Sequence, residues 1–345
     1  MHNTLTDSDL LAIWPDHAPT PLAEAPALAS KAGIGQLLLK LETRRPFGNF
    51  KALGGTIAGL RAIARAVGAL DIVQLLANPG RYGPCPTLLC ASDGNHGLSV
   101  AAAAHRAGAS ARIYLPAAVR DDRADRIEAL GAEVVRVPGT YDDAVSIAAT
   151  AAAAGAGLLI PDTTQDPNHP VVADVMAGYQ VIAREIRSEL RRRSQPLPTH
   201  QFIQAGVGGL ASAMADGLGS GRSGGPRIVV VEPSTAACVA HALILGRAER
   251  IDGGLETSAE MLSCGLASVP ALRRLIHHHA RSLLVDEADL LRAEAALTAS
   301  AIDSTASGAA GLAGLLIAAT DPIERKRLGL SDASRVLLVI SERRP

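Results

Sequence analysis

Short, largely apolar runs alternate along the chain with longer stretches in which alanine and leucine recur at helical spacing. Strands have this composition when both faces of their sheet are covered. Alternation of such strands with helices is typical of a parallel sheet flanked by helices, so we predict an α/β fold. The predicted strands are Leu37–Leu41, Thr87–Ala91, Arg112–Leu115, Glu133–Val137, Gly157–Ile160, Gln201–Ala205, Ile228–Val231, Leu283–Val285 and Val336–Ile340. The predicted helices between them include Ala52–Val67, Gly97–Ala107, Asp121–Leu130, Tyr141–Ala154, Val172–Arg193 and Glu287–Ile302.

The chain is long enough for two domains, since it has 345 residues. Four of the predicted strands and three of the predicted helices fall between Thr87 and about Asp166, which is enough for a small domain. We therefore predict a small inserted α/β domain at 85–166 and a large domain formed by 1–84 and 167–345. Each is expected to contain a mainly parallel sheet flanked by helices.

Charge and hydropathy exclude several classes of partner. The formal net charge is −1, which argues against binding nucleic acid through its phosphates. No stretch of about 20 uninterrupted apolar residues occurs, so we expect no membrane span. The N-terminal segment carries Asp7, Asp9 and Asp16 and lacks a basic start followed by an apolar run, so no signal peptide is indicated. We therefore expect a cytoplasmic protein.

The cysteines and histidines do not predict a metal site. The four cysteines show no CxxC spacing. His277, His278 and His279 are consecutive, and consecutive side chains on a helix point in different directions. We interpret them as a solvated helix end.

The most informative segment is Phe47–Gly55, which places Lys51 at the start of a predicted helix. A surface lysine is the ordinary interpretation of such a position. Here Phe50, Leu53 and the following glycines favour a lysine packed inward. An enclosed lysine amine can form a covalent bond to a carbonyl cofactor and can serve as a base.

Two glycine-containing loops follow predicted strands and open predicted helices. The loops are Ser92–Gly97 and Gly206–Leu210. Backbone N–H groups at such a helix start bind anions, and at Ser92–Gly97 we expect a carboxylate. The first loop is also explained as a turn without a ligand, in which Ser92 or Asp93 caps the helix. The second is a weak signal by itself, because nucleotide-binding folds use the same device. No GxxxxGK[ST] motif occurs, which argues against a P-loop enzyme.

Taken in this order, Phe47–Gly55, Ser92–Gly97 and Gly206–Leu210 resemble the pyridoxal-phosphate enzymes of the tryptophan-synthase-β fold, fold type II. Within that superfamily they look most like diaminopropionate ammonia-lyases. The resemblance runs from Pro19 to Ser341. It implies two domains, each with a mainly parallel sheet flanked by helices, a pyridoxal 5'-phosphate cofactor, a small amino-acid substrate and a homodimer.

The resemblance also implies roles for individual residues. It makes Lys51 the covalent cofactor lysine with Phe50 beside it, and puts Ser341 at the pyridine nitrogen. Asn95 would lie by the 3-oxygen of the cofactor. The phosphate would be held by Gly206, Val207, Gly208, Gly209 and Leu210. The substrate would be bound by Ser92, Asp93, Gly94, Asn95 and His96.

Two aspartates indicate which class of substrate the protein binds. Many dehydratases of this fold have an uncharged small residue where this chain has Asp93, and a carboxylate there suits a cationic β-amine. Asp162 resembles a second aspartate that diaminopropionate lyases place on the opposite face of the substrate. The alternatives are a helix N-cap for Asp93 and a turn-former for Asp162.

The function that these residues favour is α,β-elimination of ammonia from a 2,3-diamino acid, catalysed by Lys51, Asp93 and Asp162. Diaminopropionate would give pyruvate and ammonia. A β-replacement synthase and a serine or threonine dehydratase-like lyase stay open as alternatives. A cofactor-binding protein without activity is disfavoured because all three motifs are intact.

Some positions depart from the resemblance. Ala306 stands where a glutamate is usual, Leu266 replaces an acidic residue, and Glu342–Arg344 replaces a Thr-Glu-Gly sequence after Ser341. The resemblance also makes a contact between Cys238 and Cys264 near the site mouth conceivable, and two separate buried thiols are the alternative. The departures bear on the substrate and leave the fold and cofactor unchanged.

Overall fold

The computed structural model describes residues 5–92, 94–221 and 224–344. Its strands are β1 Leu22–Glu24, β2 Gln36–Leu41, β3 Leu88–Ala91, β4 Ala111–Pro116, β5 Glu133–Val137, β6 Leu158–Leu159, β7 His200–Gln204, β8 Arg227–Pro233, β9 Arg281–Val285 and β10 Arg335–Ile340. Its helices are α1 Asp7–Ile13, α2 Pro26–Lys31, α3 Lys51–Val67, α4 Ile72–Ala77, α5 Asn95–Ala107, α6 Asp121–Glu128, α7 Tyr141–Ala153, α8 Pro170–Arg192, α9 Gly209–Leu218, α10 Cys238–Leu245, α11 Val269–His277, α12 Glu287–Ala299, α13 Ala306–Thr320 and α14 Pro322–Leu328.

The larger sheet has the strand order β1-β2-β10-β7-β8-β9. All neighbours in it are parallel except β1, which pairs antiparallel with β2 at the edge. Strands β2, β7 and β10 are almost entirely buried, as expected from their apolar composition and central position. The predicted α/β fold with mainly parallel sheets is confirmed.

The smaller sheet has the order β5-β4-β3-β6 and is parallel throughout. It consists of the four strands predicted between Thr87 and Asp166, and α5, α6 and α7 belong to the same segment. Helix α3 of the larger unit shares an apolar core with α5 and β3, in which Leu53 and Ile57 join Leu88 and Val100. The domain boundaries themselves stay a prediction.

A cluster of buried charges anchors the segment that precedes Lys51. Glu185 of α8 lies 2.5 Å from Lys40 Nζ and 2.8 Å from an Arg45 guanidinium nitrogen, and Arg45 also pairs with Glu42. All four residues are buried. The pKa of Glu185 is lowered, because hydrogen bonds and charge attraction from Arg45 and Lys40 outweigh the cost of burial. Glu185 is therefore a carboxylate that compensates two buried cations.

The interpretation of the consecutive histidines as a solvated helix end is wrong for His278. This residue is buried, with Nε2 at 2.5 Å from Asp216 Oδ1 and Nδ1 at 2.6 Å from the carbonyl oxygen of Ser220. The end of α11 packs against α9 here, which the local sequence does not reveal. Within the described ranges, no single helix has the length and apolar character of a membrane span, and α13 with α14 meets that test only as a pair bent by 109°.

Candidate active site

Lys51 is the first residue of α3, directly after a sharp reversal of the chain. Phe47 and Gly48 have positive φ angles of 64° and 75°, which turn the chain before the helix begins. A Cβ at Gly54 would overlap the ring of Tyr179, so α3 and α8 approach closely. The rings of Phe50 and Tyr179 stand 4.8 Å apart and close one side of the pocket around Lys51.

The Lys51 amine meets Asp162 at the end of the smaller sheet. Lys51 Nζ donates to Asp162 Oδ2 at 2.9 Å, and the hydroxyl of Tyr141 donates to Oδ1 at 2.9 Å. Burial lowers the pKa of Lys51, but the Asp162 carboxylate outweighs this and holds that pKa well above its usual range. Burial raises the pKa of Asp162, and the Lys51 ammonium in turn holds it well below its usual range. The pair is therefore ionised at neutral pH in the free protein.

The loop after β3 is built around Ser92. Its Oγ accepts from the backbone N–H groups of Gly94, at 2.9 Å, and Gly97, at 2.8 Å. Gly94 is the N-cap of α5, so Ser92 satisfies one N–H group in the first turn of that helix. Gly94 has φ 134°, a conformation that favours glycine. Ser92 still lines the pocket with Lys51. The predicted catalytic and substrate-binding residue Asp93 lies outside the described residues.

His96 and Asn95 occupy the first turn of α5. His96 is buried, its Nε2 lies 2.7 Å from the carbonyl oxygen of Ile160, and burial lowers its pKa. This contact ties the start of α5 to the segment that carries Asp162. Asn95 accepts from Asn49 Nδ2 at 3.2 Å and lines the pocket beside Lys51.

The glycine loop joins β7 to α9. Gly208 has φ 94° and precedes α9, so the backbone N–H groups at the helix start are turned towards the loop. A Cβ at Gly206 would come within 3.0 Å of Cys264 Sγ and 3.2 Å of the Met261 carbonyl oxygen. Residues 206–210 all line the pocket, although the side chain of Leu210 is buried in the core.

Ser341 lies immediately after β10, next to the end of β7. Gln204 Nε2 donates to Ser341 Oγ at 2.8 Å and to the carbonyl oxygen of Val339 at 3.0 Å. Because Oγ accepts this bond, the Ser341 hydroxyl keeps its own proton for another acceptor. Gln204 was not predicted as a site residue, and neither was Tyr141. Their position at the carboxyl ends of parallel strands, or just after them, is the signal that points to both.

Cys238 and Cys264 lie near the glycine loop and are both thiols in the structure. Cys238 Sγ donates to the carbonyl oxygen of Gly206 at 3.3 Å. Burial raises the pKa of Cys238, which keeps the thiol protonated.

One pocket thus joins segments from the whole chain. It brings together a lysine amine, a glycine-rich loop at a helix start, a neutral hydroxyl and a carboxylate. This set fits pyridoxal phosphate, which requires an amine for its aldehyde, an anion cradle for its phosphate and a partner for its ring nitrogen. The residues that line the pocket include Phe50, Lys51, Asn95, Asp162, Tyr179, Gln204, Gly206, Val207, Gly208, Gly209, Leu210, Ser341 and Glu342.

Comparison with known proteins shows that the chain is similar to pyridoxal-phosphate-dependent enzymes. The family model "Pyridoxal-phosphate dependent enzyme" matches residues 13–342. Diaminopropionate ammonia-lyase of Salmonella typhimurium strain LT2 is 32% identical over 278 residues, which cover 75% of this chain and 67% of the relative. The Escherichia coli K12 enzyme of the same name is 32% identical over 256 residues, covering 72% and 63%. The alignments therefore span about two thirds of these relatives.

A solved structure is similar over nearly the whole chain. The crystal structure of diaminopropionate ammonia-lyase from Escherichia coli in complex with D-serine superposes with a TM-score of 0.86 at 26% identity. The match covers 99% of this chain and 90% of that one. The chain belongs to the pyridoxal-phosphate-dependent enzymes, within the fold type II group that includes the diaminopropionate ammonia-lyases.

Proposed function

We propose that this chain removes ammonia from a 2,3-diamino acid by α,β-elimination, as a pyridoxal-phosphate-dependent ammonia-lyase. The observation that carries the proposal is the meeting of Lys51 and Asp162 in one pocket with the glycine loop. An amine and a carboxylate facing one space supply two groups able to exchange a proton with the same carbon. The names of the relatives support an amino-acid substrate of this class.

The cofactor would be held by residues from both ends of the chain. Lys51 would bind it covalently with Phe50 and Tyr179 beside it, and the glycine loop 206–210 would hold its phosphate. Ser341, fixed by Gln204, would donate a hydrogen bond from its hydroxyl to the ring nitrogen. Bound pyridoxal phosphate supplies an electron sink for negative charge at Cα.

The start of α5 would orient the substrate. Its carboxylate would lie against the helix N-terminus and the loop residues Ser92, Gly94, Asn95 and His96. Asp93 would hold the β-ammonium, because a carboxylate attracts that cation and an uncharged residue does not. The charge of Asp93 would thereby select a diamino acid over a hydroxy amino acid.

The proton transfers would belong to Lys51 and Asp162. The Lys51 amine would take the Cα proton on one face of the substrate. The Cβ–N bond would then break with loss of ammonia, and the enamine product would take up water to give the 2-oxo acid and a second ammonia. Asp162, oriented by Tyr141, would take the Cα proton when the other enantiomer is bound.

The wider setting of the enzyme is part of the proposal. We place it in the cytoplasm as a homodimer, with a small domain at 85–166 and a large domain formed by 1–84 and 167–345. The pocket around Lys51, which is lined by residues of both segments, would admit the substrate. This division is supported by the sheets, because all four strands of the smaller sheet lie within 85–166 and all strands of the larger sheet lie outside it.

A comparison of substrates tests this function. The holoenzyme is incubated separately with 2,3-diaminopropionate, serine and threonine, with and without an added thiol nucleophile, and ammonia and 2-oxo acid are measured. The proposal expects ammonia and pyruvate from the diamino acid alone, faster than from either hydroxy acid. Release that requires the nucleophile would identify a β-replacement synthase, and preference for serine or threonine would identify a dehydratase.

A further inference from the structure

Glu342 is a carboxylate in the wall of the Lys51 pocket to which no role has yet been given. It directly follows Ser341, and only 7% of the residue is exposed. Oε2 accepts from Asn95 Nδ2 at 2.5 Å and Oε1 accepts from Thr305 Oγ1 at 2.6 Å. The Glu342 carbonyl oxygen accepts from Ser304 Oγ at 2.9 Å. The side chain is therefore held at both oxygens and at the backbone.

The contact with Asn95 fixes which way that amide points. A carboxylate only accepts hydrogen bonds, so Asn95 must present its Nδ2 group to Glu342 and its Oδ1 to Asn49, whose Nδ2 lies 3.2 Å away. One proton of Asn95 Nδ2 is used by Glu342. The other is not used by that bond, and Asn95 lines the pocket beside Lys51.

The family resemblance does not predict a glutamate at position 342. The resemblance leads one to expect a threonine after Ser341 and a glutamate at position 306, where this chain has Ala306. Glu342 follows β10 and accepts a hydrogen bond from Thr305, the residue before Ala306. Burial raises the pKa of Glu342, and the hydrogen bonds from Thr305 and Asn95 offset this cost in part.

We infer that Glu342 is a positioning residue that orients Asn95 as a hydrogen-bond donor to the bound cofactor. The inference rests on the proposed function and on the role that the family resemblance implies for Asn95, beside the 3-oxygen of pyridoxal phosphate. Glu342 acts only through Asn95. Its removal frees the amide to rotate and to present an oxygen to that acceptor.

A double-mutant cycle on cofactor affinity tests this. Apoprotein is titrated with pyridoxal phosphate, and the dissociation constant is read from the visible absorbance, for wild type, Glu342→Ala, Asn95→Ala and the double variant. Glu342→Ala should weaken binding roughly 10-fold in the wild-type background and less than about 2-fold in the Asn95→Ala background. Glu342→Gln, whose oxygen can still accept from Asn95, should bind within about 3-fold of wild type.

The controls separate this inference from its alternatives. Glu294→Ala removes a carboxylate that pairs with Arg344 away from the pocket and should leave affinity unchanged. Thermal unfolding of each apoprotein checks that the variants fold. Equal losses from Glu342→Ala in both backgrounds would show a merely structural role and overturn the inference alone. A wild-type protein that develops no visible band would overturn the proposed function as well.

Discussion

Lys51 Nζ and Asp162 Oδ2 lie 2.9 Å apart although 111 residues separate them in the chain. Each raises the preference of the other for its charged form. Tyr141 also donates to the other oxygen of Asp162. In the protein without cofactor, the Asp162 carboxylate therefore stabilises the charged form of Lys51.

Replacement of Lys51 should abolish cofactor attachment. Lys51→Ala removes the amine that binds the cofactor and takes the Cα proton, so both the visible absorption and ammonia release should disappear. The measurement is a visible spectrum after incubation with excess pyridoxal phosphate, followed by dialysis. Lys31→Ala, at the end of α2, is the matched control and should retain both. A Lys51→Ala variant that keeps its colour after dialysis would contradict the assignment.

Replacement of Asp162 should slow elimination from one enantiomer of the substrate much more than from the other. Asp162→Asn keeps the size and polarity of the side chain but removes the base, so elimination from one enantiomer of 2,3-diaminopropionate should fall by roughly 100-fold. The other enantiomer, served by Lys51, should be affected far less. Rates of pyruvate formation from each enantiomer measure this. Asp166→Asn, at a nearby exposed turn, is the control. Equal losses for both enantiomers would show that Asp162 only serves Lys51.

We expect Asp93 to determine whether the enzyme prefers an ammonium or a hydroxyl leaving group. Asp93→Asn removes the charge proposed to hold the β-ammonium, so elimination from the diamino acid should fall by more than about 10-fold, roughly 1.4 kcal/mol. Elimination from D-serine, which carries no β-cation, should change much less, and the visible band should persist. Steady-state rates on both substrates provide the comparison. Activity on the diamino acid that survives within tenfold would refute this role.

Stability should depend on the buried charge cluster. Glu185→Gln leaves Lys40 and Arg45 buried with only Glu42 to compensate their charge. The free energy of unfolding should therefore fall by about 3 kcal/mol or more. Glu189→Gln, one turn along the same helix, breaks a partly exposed pair with Arg193 and should matter much less. Urea unfolding of the apoproteins measures both.

The pH dependence of the same cluster has a definite sign. Because the pKa of Glu185 is lowered on folding, its contribution to stability is present above its unfolded pKa and is lost as pH falls through the folded one. Wild type should therefore lose stability on acidification more steeply than Glu185→Gln. Parallel pH curves for the two proteins would contradict this account.

The sequence allowed prediction of the parallel sheets, because apolar runs alternate clearly with helical stretches. It did not predict β1, a strand of only three residues whose pairing with β2 depends on tertiary contact. The sequence motifs predicted Lys51 and the glycine loop as site residues, and both line the pocket. Tyr141 and Gln204 were missed because their roles arise from neighbouring strand ends. Glu342 was seen only as a departure, since its partners Asn95 and Thr305 are distant in the chain.

The most direct test of the central claim is a visible spectrum of the purified holoenzyme, recorded before and after addition of D- and L-2,3-diaminopropionate. Pyruvate and ammonia are assayed in the same samples. The account predicts an absorption band from the lysine-bound cofactor, a change of that band with substrate, and release of pyruvate together with ammonia. A band that changes without any pyruvate would keep the cofactor and contradict the proposed elimination. A colourless protein would contradict the whole assignment.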